Sequence, residues 1–236
     1  MDRHQLTPDG RLVAPIRLAG LTRSVAFDRR GRLLTSRSVQ VCGFVPMQGA
    51  AATPEHHLPL HQHVSLRIDG PAPGPGLLEG VLEQPAVRVW TGVAVRRMES
   101  FDGLELRLAT TVPGFATLTA EPAAVEAGLV APALPDRAAA VVAESTLAYL
   151  TLRPTYPDEL GRDRFEFGVI AHGPDATTLA DTIDEQVCTW DANRAGPAPT
   201  ITAHPADTPD ELLPTCGLVF DRNHTRLTVA WPTRQP

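Results

Sequence analysis

The chain has 236 residues, enough to bury a hydrophobic core, and its 43% hydrophobic and 20% charged residues are typical of a globular protein. No apolar run is long enough for a transmembrane helix, and the net charge of -6 disfavours a general nucleic-acid-binding role. All 21 cationic side chains are arginine, which excludes Schiff-base chemistry and a Walker-type phosphate lysine.

The first part of the sequence predicts short strands separated by polar turns. Residues 11–18 follow the turn signal P-D-G and predict a buried strand, suited to the centre of a sheet. Residues 24–28 and 32–47 form a predicted β-hairpin. A polar, histidine-rich loop over residues 50–63 then leads to a strand at 64–68.

The segment 69–76 is rich in proline and glycine and is the predicted boundary or linker. The pattern beyond it indicates mixed short strands and helices. Predicted strands lie at residues 87–95, 115–120, 128–131, 145–153, 164–171 and 200–204, and a closing hairpin at 216–220 and 224–231. Predicted helices lie at residues 77–84, from Ser100 to the residue before Pro113, and at 175–194, with a capping-box turn at 208–211. The helix at 175–194 is the clearest, because its apolar residues form one stripe.

A strand, a glycine-rich segment and a helix follow one another over residues 64–84, an order typical of nucleotide-cofactor sites. The prolines Pro71, Pro73 and Pro75 have no N–H to offer a ligand, and the glycine spacing is not GxGxxG. The pattern therefore favours a linker over a cofactor loop.

Four histidines, His56, His57, His61 and His63, lie within nine residues and suggest a zinc or nickel site. A helix would place two of them on one face, but Pro59 interrupts the segment. The favoured interpretation is a solvated loop. No GxSxG turn or other nucleophile signature is present, so no catalytic, cofactor-binding or metal-binding residue is predicted.

The three cysteines, Cys42, Cys188 and Cys216, are odd in number and widely spaced, which predicts neither a disulfide framework nor a CxxC metal site. The amino-terminal residues MDRHQLTPDGRL contain no apolar segment of the kind a signal peptide requires. A cytoplasmic location and no membrane partner are therefore expected.

The phrases LTPDGRLVAPIRL, LTRSVAFD and SRSVQVCGFVPMQGA, in this order over the first fifty residues, resemble the closing part of protein-L-isoaspartate O-methyltransferases. Asp9 replaces the first of two family glycines. The phrases VLEQPAVRVWTGV, SFDGLELRLATTVPGF, STLAYLTLRP, FEFGVIAHGP and HTRLTVAWP resemble the carboxy-terminal extension of actinobacterial variants. These variants include the FxLD-system methyltransferases, which are linked to ribosomally made modified peptides.

The resemblance implies methyl transfer from S-adenosylmethionine (SAM) to an aspartate or isoaspartate carboxylate of a peptide or protein. It also implies that residue 11 begins at about the fifth strand of the methyltransferase sheet. The glycine-rich loop that holds SAM in the family has no counterpart here, so SAM is not expected to bind this chain alone.

The expected fold is α/β plus α+β: a partial class I methyltransferase sheet that ends in an antiparallel hairpin, then an α+β extension. The corresponding domains are residues 1–60 and 61–236. Ligands of open α/β sheets lie beyond the carboxyl ends of the strands, so the loop 19–24 is expected to face the acceptor. Thr22, Arg23 and Ser24 are the candidate substrate-side residues, with Arg23 binding a carboxylate. The alternative is a surface arginine in a turn.

Three functional hypotheses remain open. The first is that the chain is the carboxy-terminal part of a carboxyl methyltransferase, either from a split or wrongly started gene or acting with a separate catalytic chain, and is inactive alone. Alternatively, it is a non-catalytic module that recognises a precursor peptide through exposed strand edges and arginine side chains. The third hypothesis is a decayed remnant with an exposed apolar sheet edge, which predicts aggregation.

Overall fold

The computed structural model describes residues 6–7, 10–43, 55–70, 73–215 and 217–232. The fold is α+β and consists mostly of antiparallel sheet with few helices. The strands are β1 (Arg11–Leu18), β2 (Leu21–Arg30), β3 (Leu33–Val41), β4 (Glu55–His61), β5 (Val64–Asp69), β6 (Ala86–Arg96), β7 (Phe115–Ala120), β8 (Arg137–Ala143), β9 (Thr146–Thr155), β10 (Arg164–His172), β11 (Thr200–Pro205), β12 (Val219–Arg222) and β13 (Thr225–Ala230). The helices are α1 (Asp102–Thr111), α2 (Pro122–Glu126) and α3 (Ala176–Asn193), and short 3-10 turns lie at Val81–Glu83 and Asp210–Leu212.

The chain divides into two compact units. The terminal unit contains residues 1–52 and 193–236, and the central unit contains residues 53–192. This division does not coincide with the expected boundary at residue 60, because strands from both ends of the chain join one sheet. The expected linker at 69–76 lies within the central unit, with residues 71 and 72 outside the described part of the chain.

The terminal unit is a six-stranded antiparallel sheet in the order β1-β2-β3-β11-β13-β12. One of its faces holds apolar side chains from both chain ends, among them Val25, Phe27 and Ile201, each no more than 1% exposed. A guanidinium nitrogen of Arg222 in β12 donates a hydrogen bond to the backbone carbonyl of Arg17 in β1, at 2.9 Å. The sheet therefore curves enough to bring its two end strands together.

The expectation of a buried, central first strand is wrong in its position. β1 is an end strand of the sheet order, and its side chains alternate between exposed and half-buried. The sequence of β1 resembles that of a buried strand because even its solvent-facing positions carry apolar residues. Val13 and Pro15 are examples, and Val13 is 64% exposed. The hairpin of β2 and β3 is confirmed, although residues 44–47 of the predicted second strand lie outside the described residues.

The central unit is a seven-stranded antiparallel sheet in the order β4-β5-β7-β8-β9-β10-β6. Helices α1 and α3 cover one face, where Phe167 of β10 makes edge-to-face ring contacts with Phe101 and Trp190. The opposite face packs against the segment around Leu78 and Leu82, and against α2 and Val130. We call these the helix face and the opposite face.

Helix α3 and its buried stripe are confirmed, as are the strands predicted near β5, β6, β7, β9, β10 and β11 and the hairpin of β12 and β13. The expected strand at 128–131 is wrong. Gly128 has a φ of 71°, and the Leu129 N–H bonds the Ala124 carbonyl at 3.0 Å, so the segment caps α2 instead. The strand β8 was not predicted, because its sequence RAAAVVA is rich in alanine. The helix predicted at 77–84 is reduced to turns and one 3-10 segment.

No helix in the described parts of the chain is both long and apolar enough to cross a membrane.

Candidate functional site

The candidate substrate-side residues lie within a strand rather than in a loop. Thr22, Arg23 and Ser24 belong to β2, and the loop expected over 19–24 is a two-residue turn at Ala19 and Gly20, both with positive φ. The Arg23 side chain is buried, with only 5% exposed, and donates to the Thr22 carbonyl at 3.1 Å. The expected loop is therefore wrong, whereas carboxylate binding by Arg23 stays a prediction.

The histidine-rich segment forms an edge strand instead of the expected loop. β4 pairs with β5, and Pro59 lacks an N–H but is tolerated because only one side of an edge strand is paired. His57 lies 3.1 Å from Glu55, and His63 lies 2.7 Å from Glu121. Among the described residues no three or more histidine, cysteine or acidic side chains are arranged to hold a metal ion.

A group of arginines lies on the opposite face, at the other end of the same sheet. β6 is the end strand there and pairs with β10, which pairs with β9. The register places Arg96 across from Arg164, and Ala94 and Arg153 across from Glu166. Because side chains alternate between the faces of a strand, these positions share one face.

The same face continues towards the start of β6. Trp90 lies across from Gly168, and Arg88 lies across from Ile170, a member of the core cluster on the opposite face. We call the residues Arg88, Trp90, Arg96, Arg153, Arg164 and Glu166 the arginine face. It follows the outermost strand of the sheet over almost its whole length.

Trp90 is fixed in the middle of the arginine face. Its indole lies over Gly168, where an added Cβ would come within 2.5 Å of the ring. The Arg153 guanidinium lies 4.0 Å from the centre of the same ring, in cation–π geometry. Glu166 accepts hydrogen bonds from Arg153 at 2.8 and 2.6 Å, so the arginine is held in place from both sides. Trp90 is 36% exposed.

A β-bulge in β6 shapes the site below Trp90. Gly92 has a φ of 73°, and its N–H donates to Glu166 at 3.0 Å. The Thr91 hydroxyl donates to the Phe167 carbonyl at 3.1 Å and accepts from the Val93 N–H at 3.1 Å. These hydrogen bonds satisfy backbone groups of the bulge and of β10. They also hold the Glu166 carboxylate in place, where it neutralises Arg153.

Two arginines of this face are not neutralised. Neither the Arg88 nor the Arg164 guanidinium makes a hydrogen bond or an ion pair within the part of the chain that the structure describes. Arg96 pairs with Glu99 at 3.3 Å, with its own side chain about half exposed. The face therefore carries excess positive charge on a chain whose net charge is -6.

Arg88 borders a buried polar pair at the start of β6. Tyr149 and His172 stack with ring centroids 6.3 Å apart, and the His172 Nδ1 lies 3.0 Å from the Gln84 carbonyl. Burial raises the pKa of Tyr149, while the Ala131 N–H that it accepts and the positive charge of Arg88 act in the other direction. The His172 Nε2 is buried with no partner among the described residues.

The sequence alone does not reveal the arginine face. The sequence does place Arg88 and Trp90 at alternate positions of the strand predicted at 87–95. It likewise places Arg164 and Glu166 at alternate positions of the strand predicted at 164–171. Alternation places such residues on one face of their own strand. It does not show that β6 and β10 are neighbours, because 67 residues separate the two strands. Tyr149 and Phe167 are core residues, each at most 1% exposed.

No protein-family model, no curated protein and no solved structure matches the chain.

Proposed function

We propose that this chain holds the acidic acceptor of a carboxyl O-methylation reaction, in which SAM methylates an aspartate or isoaspartate of a peptide or protein. SAM is bound elsewhere, by another part of a longer polypeptide or by a separate catalytic chain. The chain alone is then inactive. In this proposal β1, β2 and β3 correspond to the last strands of a class I methyltransferase sheet.

The ordered family phrases support the methylation part of the proposal. In this proposal the antiparallel hairpin that the family places after its fifth strand is matched with β2 and β3, which pair antiparallel. The phrases in the rest of the chain fall largely on β6, α1, β9, β10 and β13, so the resemblance covers both units.

The arginine face carries the peptide-binding part. Arg88 of the end strand β6 and Arg164 of the neighbouring strand β10 are uncompensated cations on one face, and Trp90, which is 36% exposed, lies between them. Guanidinium groups bind carboxylates in bidentate geometry, and an end strand can accept an extended segment beside it. The face thus matches an acidic peptide in an extended conformation.

A second candidate is a peptide-recognition module that takes no part in methyl transfer. The same face favours it, because the binding of an acidic segment does not itself require a methylation step. The two candidates share peptide binding and differ in whether the bound carboxylate is methylated when the SAM-binding partner is present.

The first experiment measures binding by fluorescence anisotropy. A fluorescein-labelled peptide of alternating valine and glutamate, eight residues long, is titrated with the intact chain, and the same peptide with lysine for glutamate is the control. We expect the acidic peptide to bind and the basic peptide not to bind. Binding weakens as salt is raised, because salt screens exposed charges.

Variants locate this binding. The double change Arg88→Gln and Arg164→Gln is expected to raise the Kd at least about tenfold, since charge-assisted bonds contribute roughly 1.5–3 kcal/mol each before solvent screening. The control is Arg32→Gln with Arg37→Gln, two arginines of the terminal unit whose side chains are 70% and 66% exposed. Equal weakening by both pairs would contradict a specific site.

The second experiment separates the two candidates. If the adjacent coding sequence encodes a strand followed by a G-x-G-x-G loop, its product is made together with this chain. Transfer of labelled methyl from SAM to a glutamate-to-aspartate version of the acidic peptide is then measured. Transfer by the pair and none by this chain alone supports the methylation proposal, whereas peptide binding without transfer supports the second candidate. Micromolar binding of SAM by this chain alone, measured by calorimetry, would contradict the proposal that SAM is bound elsewhere.

A further inference from the structure

A shallow cavity lies at the end of β6, next to the arginine face. Its volume is about 560 Å³, and it is lined by residues 96–99 and 161–163. The first set runs from the last residue of β6 into the turn after it, and the second set belongs to the loop between β9 and β10. A volume of this size is within the usual range for ligand sites, roughly 300–1,000 Å³.

Met98 gives the cavity an apolar wall. It has a φ of 63°, a left-handed conformation that is unfavourable for a non-glycine residue, and it is 95% exposed. The loop across the cavity carries two more exposed large side chains, Tyr156 at 90% and Leu160 at 76%. Large apolar side chains that are exposed together mark interaction sites more often than scattered ones do.

The charges around the cavity are arranged in pairs. Arg97 lies 4.0 Å from Asp163, Arg96 lies 3.3 Å from Glu99, and Arg162 lies 2.7 Å from Asp158. These ion pairs leave little excess charge in the cavity, in contrast to the arginine face. The cavity is therefore suited to an uncharged side chain and the face to carboxylates.

The cavity and the arginine face are continuous. Arg96 lines the cavity and is paired in register with Arg164, so the positive charge begins where the cavity ends. The distance from Arg96 to Arg88 along β6 is about 20–25 Å, since a strand rises about 3.3 Å per residue. A segment of seven or eight extended residues spans it.

From this continuity we infer that the ligand is an acidic extended peptide with one large apolar residue at its amino-terminal end, and that this residue enters the cavity beside Met98. All neighbours in the described sheet are antiparallel, and an antiparallel segment beside β6 has its amino terminus at Arg96. This inference rests on the proposed function for the peptide class and adds the residue that sets specificity.

The test compares three labelled peptides on the intact chain by fluorescence anisotropy. The first is Phe-Gly-Glu-Val-Glu-Val-Glu-Val, the second has serine for phenylalanine, and the third carries the phenylalanine at its carboxyl end. We expect the first peptide to bind at least fivefold more tightly than the other two. Equal affinity of the first two peptides overturns the inference, and tightest binding of the third overturns the antiparallel alignment.

The variant Met98→Gly locates the apolar subsite. Glycine adopts positive φ without strain, so this change removes the side chain and keeps the turn. We expect it to abolish the advantage of the phenylalanine peptide and to leave the affinity for the serine peptide unchanged. The matched control is Leu77→Gly, another exposed apolar residue of the central unit, at 45% exposure, which should retain the advantage.

The outcomes distinguish the two levels of proposal. If neither peptide binds, the proposed function fails. If both bind equally and Met98→Gly changes nothing, acidic-peptide binding stands and the cavity is not a subsite. If Met98→Gly lowers the affinity for the phenylalanine and serine peptides equally, the Met98 side chain contributes to peptide binding in general. That result also contradicts the inference about specificity.

Discussion

His204 is a buried polar residue in the terminal unit, with 7% of its surface exposed. Its Nε2 lies 3.0 Å from the Thr228 hydroxyl across the pairing of β11 and β13. Burial lowers the pKa of this imidazole below 6.5, and the nearby Arg226 guanidinium acts in the same direction. The folded protein therefore favours neutral His204.

This lowered pKa makes the stability of the terminal unit depend on pH. The unfolded chain takes up a proton at His204 below pH 6.5, while the folded chain resists it, so the free energy of unfolding falls as the pH drops below that value. We expect His204→Gln, which cannot titrate, to lose less stability between pH 7.5 and pH 5 than the wild type. Urea unfolding followed by circular dichroism measures this difference.

The control for that experiment is His224→Gln, which removes an imidazole from an exposed position near the β12–β13 turn. An unchanged pH dependence in His204→Gln would show that other groups are responsible.

Arg23 illustrates which residue properties follow from sequence. Its charge and its position after an apolar run suggested a loop and a carboxylate ligand. Buried and half-buried residues alternate along β2, and Arg23 occupies a core-side position between Leu21 and Val25. The sequence of β2 has a period of two, but an arginine at a buried position breaks the expected apolar alternation, so the pattern predicts a strand only from residue 24.

At the scale of elements, the local sequence pattern predicts a strand or helix correctly wherever the periodicity of that one segment is clear. The stripe of α3 is an example, since Ile183 and Val187 are at most 1% exposed as their spacing predicts. Elements that depend on neighbours were missed: β8 forms because β7 and β9 pair with it on both sides, and β4 forms because β5 does. The candidate site belongs to this second class, because it needs the pairing of β6 with β10.

In that pairing a glycine makes room for the Trp90 ring. Gly168 lies beneath the Trp90 indole, and an added methyl group would also come within 3.0 Å of the Thr151 side chain. Gly168→Ala is expected to displace the indole from its contact with Arg153 and to destabilise the protein by about 1–3 kcal/mol, as overpacked positions do. Urea unfolding measures the loss of stability, and tryptophan fluorescence reports the change at the ring.

Gly43→Ala is the matched control, because an added Cβ there meets nothing within 4 Å. It should unfold like the wild type. Wild-type stability of Gly168→Ala would show that the indole moves without cost and is not held by this contact.

At the scale of the whole molecule, the two units differ in how their sheets are made. In the central unit, the core cluster on the opposite face is formed by residues from Val64 to Ile170, and the helix face is covered by α1 and α3 of the same continuous segment. The sheet of the terminal unit needs both ends of the chain, since β3 pairs with β11. No local pattern predicts that second arrangement, because the paired strands are separated by the whole central unit.

These architectures predict different behaviour for fragments. Residues 53–192 alone should fold, because their sheet, helices and core lie within one continuous segment. Residues 1–60 alone should not fold, because they lack β11 and β13, which supply the buried side chains of Ile201, Leu227 and Val229. Circular dichroism, urea unfolding and the dispersion of amide resonances measure both outcomes, with the full chain as the reference. Cooperative unfolding of fragment 1–60 would contradict the shared sheet, and a fragment 53–192 without a cooperative transition would contradict an independent central core.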